Sequence, residues 1–351
     1  MKNLLIIAQK VDAEDDLVGF FVGWIREFSK HFDKVFVITL TKGNYQLPKN
    51  VEVYSLGKER GNSKIARVFN FYKYLFQLVP KSSGIFAHMS PIFVVASWPI
   101  ALIYRKKIIL WYLHRSVTLR LKIAEKLCYK IVTAAKESLG FKSKKIFETG
   151  HGIDTEYFKP VGDLRPLIHG QVKILHVARI SPAKRHEILI ETAKILKEQG
   201  LDFKITIVGR PVMPGDYKYF EQLKAKVIDY RLQDMVSFAG FVSYSSIAEY
   251  YKDIDIAVNL TNGGTDKTVL EAMSAGCITI TSNMVFAKYL GVYTKDLIFD
   301  YDDPKDLADK IQAVIILPLE KREIIRRFLS NVVFQKHSVS RTINIISSLL
   351  I

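Results

Sequence analysis

The sequence is poor in cysteine. Only two of its 351 residues are cysteines, Cys128 and Cys277, and they stand far apart. Two isolated thiols fit neither a disulfide framework nor the paired spacing of a zinc site. We therefore expect a chain that folds without cross-links, and a reducing, cytoplasmic compartment agrees with that composition.

Long uncharged apolar runs are also missing. The nearest to one, residues 89–104, contains two prolines and ends at three consecutive cations. It is shorter than the roughly 18 residues that a bilayer-spanning segment needs, and we interpret it as a core helix. The apolar start, residues 1–8, has one preceding charge and leads into acidic residues, so a buried first strand explains it better than a signal peptide.

Acidic residues are scarce in the first half of the chain. Residues 1–160 contain 26 lysines and arginines but 13 acidic residues, whereas the remainder is nearly balanced. The excess is concentrated in residues 58–81, which interleave cations with aromatic side chains, and in residues 105–145. Two interpretations stay open for these segments: a solvated helix face, or peripheral attachment to an anionic membrane at its inner face. No zinc spacing, recognition helix or RNA-binding motif supports a nucleic-acid partner.

Short β-branched runs alternate with helical patterns along the whole chain. This alternation is typical of parallel sheets with helices on both faces. In the first half the patterns predict a helix over residues 19–31 and strands over residues 4–8, 34–40, 51–56, 84–88, 108–113 and 130–134. In the second half they predict strands over residues 172–178, 203–208, 236–239, 254–260 and 277–281, and helices over residues 184–199, 218–230, 246–252 and 268–275.

Prolines and glycines make residues 159–170 the expected linker. We therefore predict a first domain over residues 1–160, a second over residues 161–330, and a C-terminal helix over residues 331–351 that packs back on the first domain. The predicted fold class is α/β, with two Rossmann-like doubly wound domains facing each other across a cleft.

Two cations stand five positions apart after the strand predicted at residues 172–178. Arg179 and Lys184 lie between that strand and a helix. Fixed cations there can stabilise the charge that develops on a departing diphosphate, with no metal present. Spacing alone leaves a second interpretation open, a helix-entry loop with solvated charges.

A polar loop containing glycines, residues 261–266, leads into the helix predicted at residues 268–275. Backbone N–H groups and the helix dipole at such a start can face a phosphate. We place Glu271 in the first turn, where its carboxylate suits a pair of ribose hydroxyls; an acid simply favoured by the helix start is the alternative. Residues 240–242 offer an apolar surface for a nucleobase, although alone they fit a core segment.

Taken in order, these residues resemble the donor half of the retaining glycosyltransferases often called glycosyl transferases group 1, which have the GT-B fold. The resemblance covers residues 149–308. Arg179 and Lys184 match the family's phosphate-binding cations, and Gly209 its Val-Gly turn. Residues 240–242 match its Gly-Phe-Val, and residues 270–276 its Leu-Glu-Ala-Met-Ala-x-Gly.

The resemblance implies a glycosyltransferase, a hexosyltransferase in particular. It would move a sugar from a nucleotide diphosphate donor to a hydroxyl of a glycan or lipid-linked acceptor, with retention and with neither metal nor other cofactor. The catalytic residues it implies are His114, Arg179 and Lys184, although a purely structural histidine remains the alternative for His114. The donor-binding residues it implies are Gly209, Phe241, Gly264, Asp266, Lys267, Val269, Leu270 and Glu271.

One position departs from the family pattern. The family has two glutamates eight positions apart, and here Glu271 supplies the second while Gly263 stands at the first. Asp266 or Lys267 is then the candidate for the contact with the donor sugar. A non-catalytic sugar-nucleotide-binding homologue, or an epimerase or phosphorylase on the same fold, remains an alternative.

On the acceptor side the resemblance implies Asp16 and Gly19, after the first strand, and His151 and Asp154, between the domains. The acids near Asp16 can orient an acceptor hydroxyl or cap a helix that begins near Leu17. For His151 and Asp154 we expect a hinge or a cleft-lining role. No metal site is predicted, because the second acid of the Asp-x-Asp at residues 253–255 leads into a buried strand.

Overall fold

The computed structural model describes residues 2–160 and 170–351. They form two compact units, the first comprising the chain up to Asp154 with Ser243–Ser245 and Lys336–Ile351, and the second Thr155–Val242 with Ser246–Gln335. The predicted boundary at residue 160 is therefore six residues too late. The reason is that Ile153 pairs with Ser338 in a β-bridge, which anchors this part of the chain within the first unit.

The first unit is built on a sheet of seven parallel strands in the order β3-β2-β1-β4-β5-β6-β7. The strands are β1 (Asn3–Val11), β2 (Lys34–Lys42), β3 (Val51–Ser55), β4 (Gly84–His88), β5 (Lys107–Trp111), β6 (Lys130–Thr133) and β7 (Ile146–Glu148). The helices of this unit are α1 (Phe21–Phe28), α2 (Lys64–Leu78), α3 (Pro91–Ile103), α4 (Leu119–Leu127) and, at the end of the chain, α13 (Val339–Leu350).

Helices cover both faces of this sheet, which explains why its central strands are apolar throughout. One face packs against α2, α3 and α4 through side chains such as Leu75, Val94 and Leu121. The other packs against α1 and α13 through side chains such as Phe28 and Ile346. The C-terminal helix α13 is thus part of the first unit's core. The helix predicted over residues 331–351 is in fact divided at Ser338, and its first part belongs to α12 (Leu319–His337).

The second unit repeats the arrangement with five parallel strands in the order β10-β9-β8-β11-β12. They are β8 (Val172–Val177), β9 (Phe203–Val208), β10 (Val236–Gly240), β11 (Ile256–Asn259) and β12 (Ile278–Thr281). Its helices are α5 (His186–Glu198), α6 (Pro214–Asp229), α7 (Ile247–Tyr251), α8 (Lys267–Ser274), α9 (Ala287–Leu290), α10 (Thr294–Leu297), α11 (Pro304–Ile315) and α12. Both predicted Rossmann-like domains are therefore confirmed.

The apolar stretch at residues 89–104 forms α3, which buries one side in the first unit's core, as predicted, and exposes Ile92, Leu102 and Ile103 on the other. Within residues 2–160 and 170–351, no helix combines the length and the apolar character that crossing a bilayer requires.

Candidate active site

Both sheets change their direction of growth next to their first strand, and such switch points are where open α/β sheets bind ligands. In the second unit the switch lies between β8 and β11, which pair directly. The loops that leave their carboxyl ends are residues 178–185 and 260–266. The sheet order therefore brings together two segments that are about 80 residues apart in sequence.

An ion pair joins these two loops. The Lys184 Nζ atom donates to Asp266 Oδ2 at 2.8 Å, and both side chains are mostly buried. Lys184 ends a short 3₁₀ turn before α5, and Asp266 is the residue before α8. The solvated charge considered for Lys184 is thus not what the structure shows, because the ammonium is held at the carboxyl edge of the sheet.

Three further side chains fix the Asp266 carboxylate. Asn259 Nδ2 and Thr261 Oγ1 donate to Oδ2 at 3.2 and 3.1 Å, and Thr268 Oγ1 donates to Oδ1 at 3.2 Å. Burial disfavours the charged form, but the Lys184 ammonium and these hydrogen bonds outweigh it and lower the pKa of Asp266 to about 2. Asp266 is consequently ionised at any physiological pH and orients Lys184.

Glu271 lies just beyond the first turn of its helix, one residue further in than predicted. Because α8 begins at Lys267, Glu271 is its fifth residue and not part of the first turn. Its buried carboxylate accepts a hydrogen bond from Lys267 Nζ at 2.7 Å, the i,i+4 partner on the same face. Burial nevertheless raises the pKa of Glu271 above its usual value. The ion pairs Lys184–Asp266 and Lys267–Glu271 are adjacent, because Asp266 and Lys267 are neighbours in sequence. Together they form one charged cluster at the start of α8.

Arg179 lies in the same loop as Lys184, on a tightly packed backbone. Its side chain is exposed, and the preceding Ala178 N–H donates to Val208 O at 3.0 Å. Gly209 has a φ of 145°, and a Cβ there would clash with the carbonyl oxygen of Ala178. The predicted Val-Gly turn is therefore a place where only glycine lets the ends of β8 and β9 meet.

Phe241 forms an exposed aromatic face just after β10. Its ring is 41% exposed, which contradicts the core interpretation of residues 240–242. The guanidinium carbon of Arg210 lies 4.4 Å from the ring centroid, a cation–π arrangement. Arg210 directly follows Gly209 at the end of β9, and Phe241 follows β10. Arg210 and Phe241 therefore both lie at the carboxyl edge of the second sheet.

The other predicted donor-binding residues in this region differ in which of their groups a ligand could contact. The Val269 and Leu270 side chains are buried core groups, because they lie on the face of α8 that packs against the sheet, so only their backbone is available to a ligand. The Gly264 carbonyl accepts a hydrogen bond from Asn283 Nδ2 at 2.8 Å. Gly263 borders open space, since a Cβ built there meets nothing within 4 Å.

The polar residues that support the cluster were not predicted from the sequence. Asn259 ends β11 and Thr281 ends β12, and both are buried. Thr281 Oγ1 donates to Asn259 Oδ1 at 3.1 Å, so the amide that holds Asp266 is itself held. The sequence did contain a signal for Asn259 and Thr281. Each is a polar residue that ends an otherwise apolar strand, at the edge of the sheet where ligands bind.

Two buried histidines of the second unit were missed as well. His176 lies within β8 and His186 begins α5, and their ring centroids are 4.9 Å apart. Burial lowers the pKa of His176 to about 4 and that of His186 well below its usual value. Both rings are therefore neutral at pH 7.

In the first unit, the loop after β1 is organised by ion pairs. Lys10 Nζ lies 3.0 Å from Asp12 Oδ2 and 2.7 Å from Asp15 Oδ2. Asp15 Oδ1 accepts hydrogen bonds from the N–H groups of Leu17 and Val18, both at 2.9 Å. The helix cap predicted near Leu17 is therefore wrong, because these bonds close a turn and α1 begins only at Phe21, without a side-chain cap.

The predicted acceptor residues of this loop occupy contrasting places. Asp16 is exposed. Gly19 is buried, and a Cβ there would clash with the carbonyl oxygens of Ala13 and Asp15. Gly19 is thus required by packing of the turn.

His114 is exposed beyond β5 and lines a hollow of about 460 Å³ at the carboxyl edge of the first sheet. Its ring centroid lies 5.6 Å from that of Tyr112. The same hollow is lined by Met89, Ser90, Pro91, Ile92, Tyr112, Thr118, Leu119 and Arg120. The lining thus combines apolar side chains with hydroxyl groups and one guanidinium, that of Arg120.

His151 does not line a surface, contrary to the cleft-lining expectation. It is buried, its backbone N–H donates to His337 Nδ1 at 3.2 Å, and its ring lies 6.2 Å from that of Trp111. The flanking Gly152 presses against the Trp24 ring, which draws the segment into the first unit. Asp154 is half-buried and is the last residue before the division between units.

The Asp-x-Asp spacing at residues 253–255 has a structural use. Asp255 is buried and its Oδ2 accepts the Lys173 N–H at 2.8 Å, while its own N–H donates to Lys173 O at 3.0 Å. These bonds join the starts of β8 and β11. They lie at the opposite edge of the sheet from Lys184 and Asp266.

A family model supports the resemblance for the second unit. The model described as "Glycosyl transferases group 1" matches residues 165–328. The matched residues make up most of the second unit, which is therefore similar to this family. Arg179, Lys184, Asp266 and Glu271 all lie within the matched residues.

Curated relatives are similar to part of the chain. The amylovoran biosynthesis glycosyltransferase AmsK of Erwinia amylovora is 33% identical over 41% of this chain and 35% of its own length. The alpha-monoglucosyldiacylglycerol synthase of Streptococcus pneumoniae is 30% identical over 47% of this chain and 36% of its own length. The matched part thus spans about a third of these relatives.

Solved structures match the whole chain. HepE of Anabaena in complex with UDP has a TM-score of 0.76, with 16% identity, 100% of this chain and 99% of that chain covered. Sucrose-phosphate synthase of Thermosynechococcus elongatus has a TM-score of 0.78, with 14% identity, 99% of this chain and 98% of that chain covered. At these identities the likeness shows the fold, which is GT-B.

Proposed function

We propose that this chain is a glycosyltransferase, a hexosyltransferase in particular, whose second unit binds a nucleoside diphosphate sugar. The observation that carries the proposal is the cluster at the start of α8, where Lys184 and Asp266 join the loops after β8 and β11. The match to the Glycosyl transferases group 1 model supports it, as do relatives named as glycosyltransferases and a structural neighbour solved with UDP.

In this proposal Arg179, Lys184 and the N–H groups at the start of α8 bind the diphosphate. As the bond between the anomeric carbon and the β-phosphate oxygen breaks, negative charge grows on the diphosphate. Fixed donors and cations stabilise that charge. The acceptor hydroxyl oxygen bonds to the anomeric carbon, and its proton passes to the phosphate that leaves.

Asp266 has a different role in this proposal from a direct sugar contact. Its carboxylate already accepts hydrogen bonds from Lys184, Asn259, Thr261 and Thr268. We propose that it keeps Lys184 aimed at the phosphates. Glu271, released from Lys267 or shared with it, would receive the ribose hydroxyls, and the exposed Phe241 would support the nucleobase.

We further propose that transfer proceeds with retention and without a metal ion. Two cations in the second unit supply the positive charge that a divalent ion would otherwise bring. NMR of the initial product would show the same anomeric configuration as the donor. Turnover would be equal in EDTA and in magnesium, and activity lost in EDTA and restored by magnesium would refute metal independence.

For the acceptor we propose a hydroxyl of a glycan or a lipid-linked glycan, bound in the first unit at the hollow that contains His114. One relative is named for the biosynthesis of amylovoran and another as a synthase of a glucosylated diacylglycerol. The hydroxyl groups of Ser90, Tyr112 and Thr118 in the lining of the hollow suit a hydroxyl-bearing ligand. His114, exposed at its rim, is placed to accept or donate a hydrogen bond there.

Donor binding is tested by thermal shift with UDP- and GDP-sugars, because a ligand that binds the folded chain stabilises it. One nucleotide series should raise the melting temperature of the wild type. The rise should vanish in Lys184→Ala and persist in Lys194→Ala, a control lysine on the outer face of α5. An equal rise in both variants would contradict the proposed diphosphate site.

A non-catalytic sugar-nucleotide-binding homologue is the second candidate, favoured by Gly263 at the position where the family has glutamate. Because a side chain at Gly263 meets nothing within 4 Å, Gly263→Glu should fold normally. A wild type that binds donor but neither hydrolyses nor transfers it would support this candidate. Gain of donor hydrolysis in Gly263→Glu would then identify the missing carboxylate as the cause.

A further inference from the structure

Helix α2 exposes a stripe of large apolar side chains. Ile65, Phe69 and Phe76 are 84, 69 and 58% exposed, and Val68 and Tyr72 are exposed beside them. At 3.6 residues per turn, these five positions fall within an arc of about 100°. They therefore form one continuous surface along about three turns.

The stripe is separate from the side of α2 that packs in the unit. Phe71, Leu75 and Leu78 are buried in the core of the first unit and account for the attachment of the helix. The exposed residues lie on the adjoining side and would be costly to leave in water as a group. A helix that needed only to cover the sheet would carry polar residues there.

Cations surround this stripe. Lys64 and Lys73 are exposed on α2 itself, Lys58 and Arg60 precede the helix, and Lys81 follows it. The one acid in this segment, Glu59, is paired with Arg60 at 3.7 Å. A second copy of the chain would bring like charges together on this surface, whereas an anionic lipid surface would neutralise them.

We propose that α2 is a membrane-docking helix, with the apolar stripe in the boundary of the acyl chains and the cations at anionic headgroups. The neighbouring helix α3 also carries exposed apolar side chains next to cations. Its C-terminal end exposes Leu102 and Ile103, and the cations Arg105, Lys106 and Lys107 follow directly. The surface combines apolar burial with charge attraction, which is what reversible membrane attachment requires.

Co-sedimentation of the full chain with vesicles of phosphatidylcholine containing 30% phosphatidylglycerol tests the proposal. We expect binding that weakens in 0.5 M NaCl and falls about tenfold for each of Phe69→Ser and Phe76→Ser. Lys64→Gln/Lys73→Gln should weaken binding to anionic vesicles and leave any binding to pure phosphatidylcholine unchanged. Phe334→Ser, an exposed phenylalanine of α12, is the matched control and should bind like the wild type.

Because the substituted side chains are exposed, these variants should keep the wild-type melting temperature, and Ile65→Ser offers a second probe at the most exposed position. Absence of binding to anionic vesicles would overturn the proposal, as would equal binding by wild type and stripe variants. A dimer that Phe69→Ser dissociates would show that a second copy covers the stripe instead. Vesicle binding does not require sugar transfer. A chain that binds vesicles but transfers no sugar would therefore contradict the proposed transferase activity and leave the membrane-docking proposal in place.

Discussion

The two sheets share one strand order but present different side chains at their carboxyl edges. The second sheet holds two ion pairs, Lys184–Asp266 and Lys267–Glu271, supported by buried amide and hydroxyl groups. The first sheet has a hollow with His114 at its rim and apolar residues around it. Topology thus places both ligand-binding edges, and the side chains make one suited to phosphates and the other to hydroxyls.

The two carboxylates of the second sheet also differ. Asp266 is surrounded by donors, which lower its pKa to about 2, so its charge stabilises the folded chain. Glu271 is buried with one ion-pair partner, and burial raises its pKa, so its charge costs stability. A group kept at a cost to stability is typical of a functional site, and we interpret Asp266 as a support and Glu271 as a ligand-binding group.

The comparison of the two edges predicts its largest effect for Lys184→Ala. Loss of a fixed cation beside the developing charge should lower kcat by a factor of about 10² to 10³. His114→Ala, at the carboxyl edge of the first sheet, should lower kcat/KM by no more than about 10² and leave donor affinity unchanged. Steady-state kinetics with the donor and the acceptor varied separately measures both effects. Equal losses of donor affinity in Lys184→Ala and His114→Ala would contradict the distinction between the carboxyl edges of the two sheets.

Gly209→Ala should disturb the charged edge through the backbone. The added Cβ would push the ends of β8 and β9 apart, so we expect a loss of about 2 kcal/mol or more in the free energy of unfolding, together with reduced activity. Gly215→Ala in the first turn of α6, where a Cβ meets nothing within 4 Å, is the control and should be neutral or slightly stabilising. Chemical denaturation compares the two, and similar values would contradict the close approach.

Asp266→Asn should lower both stability and activity. The folded pKa of about 2 lies below the unfolded value of 3.8, so the stabilisation is complete above pH 4 and is lost as the pH falls through 2. The shift corresponds to about 2 kcal/mol at pH 7. The variant should lose that amount at pH 7, with turnover reduced about tenfold as Lys184 loses its orientation. The free energies of unfolding of the two proteins should differ by a constant amount from pH 7 to pH 5, and this difference should shrink as the pH falls below 4. A difference that persists unchanged down to pH 2 would contradict the prediction.

The smallest effect on the folded chain is expected for Glu271→Gln. The raised pKa means that the folded chain loses stability as the pH rises above 4.5, so removal of the charge should not lower the melting temperature at pH 7. The amide oxygen still accepts the hydrogen bond from Lys267. Donor KM should rise roughly tenfold if the carboxylate accepts ribose hydroxyls. A lower melting temperature with an unchanged KM would assign Glu271 to structure alone.

Much of the fold could be predicted from the sequence because apolar runs and glycines mark its strands. The ends of β4 and β9 match the prediction, since each run is bounded clearly, by Gly84 and Gly209 for example. The strand β7 was not predicted. It has three residues at the edge of the sheet, and so short a segment leaves no periodic pattern.

The site was harder to predict because its contacts depend on strand order. Nothing in the local sequence indicates that Lys184 contacts Asp266, 82 residues away; adjacency of β8 and β11 produces that contact. The prediction that Glu271 lies in the first turn of its helix was wrong, because α8 begins at Lys267, one residue before the start that its apolar pattern predicts. The burial of His151 was missed because it depends on a contact with His337, which ends α12 and lies 186 residues away in sequence.

The most direct measurement of the central claim is a calorimetric titration with a nucleoside, its monophosphate and its diphosphate, using the base that the thermal-shift screen selects. In the wild type, affinity should rise with each phosphate, and most with the second. In Lys184→Ala and Arg179→Ala that rise should disappear while the nucleoside binds as before. Equal phosphate dependence in all three proteins would contradict a diphosphate site at the carboxyl edge of the second sheet.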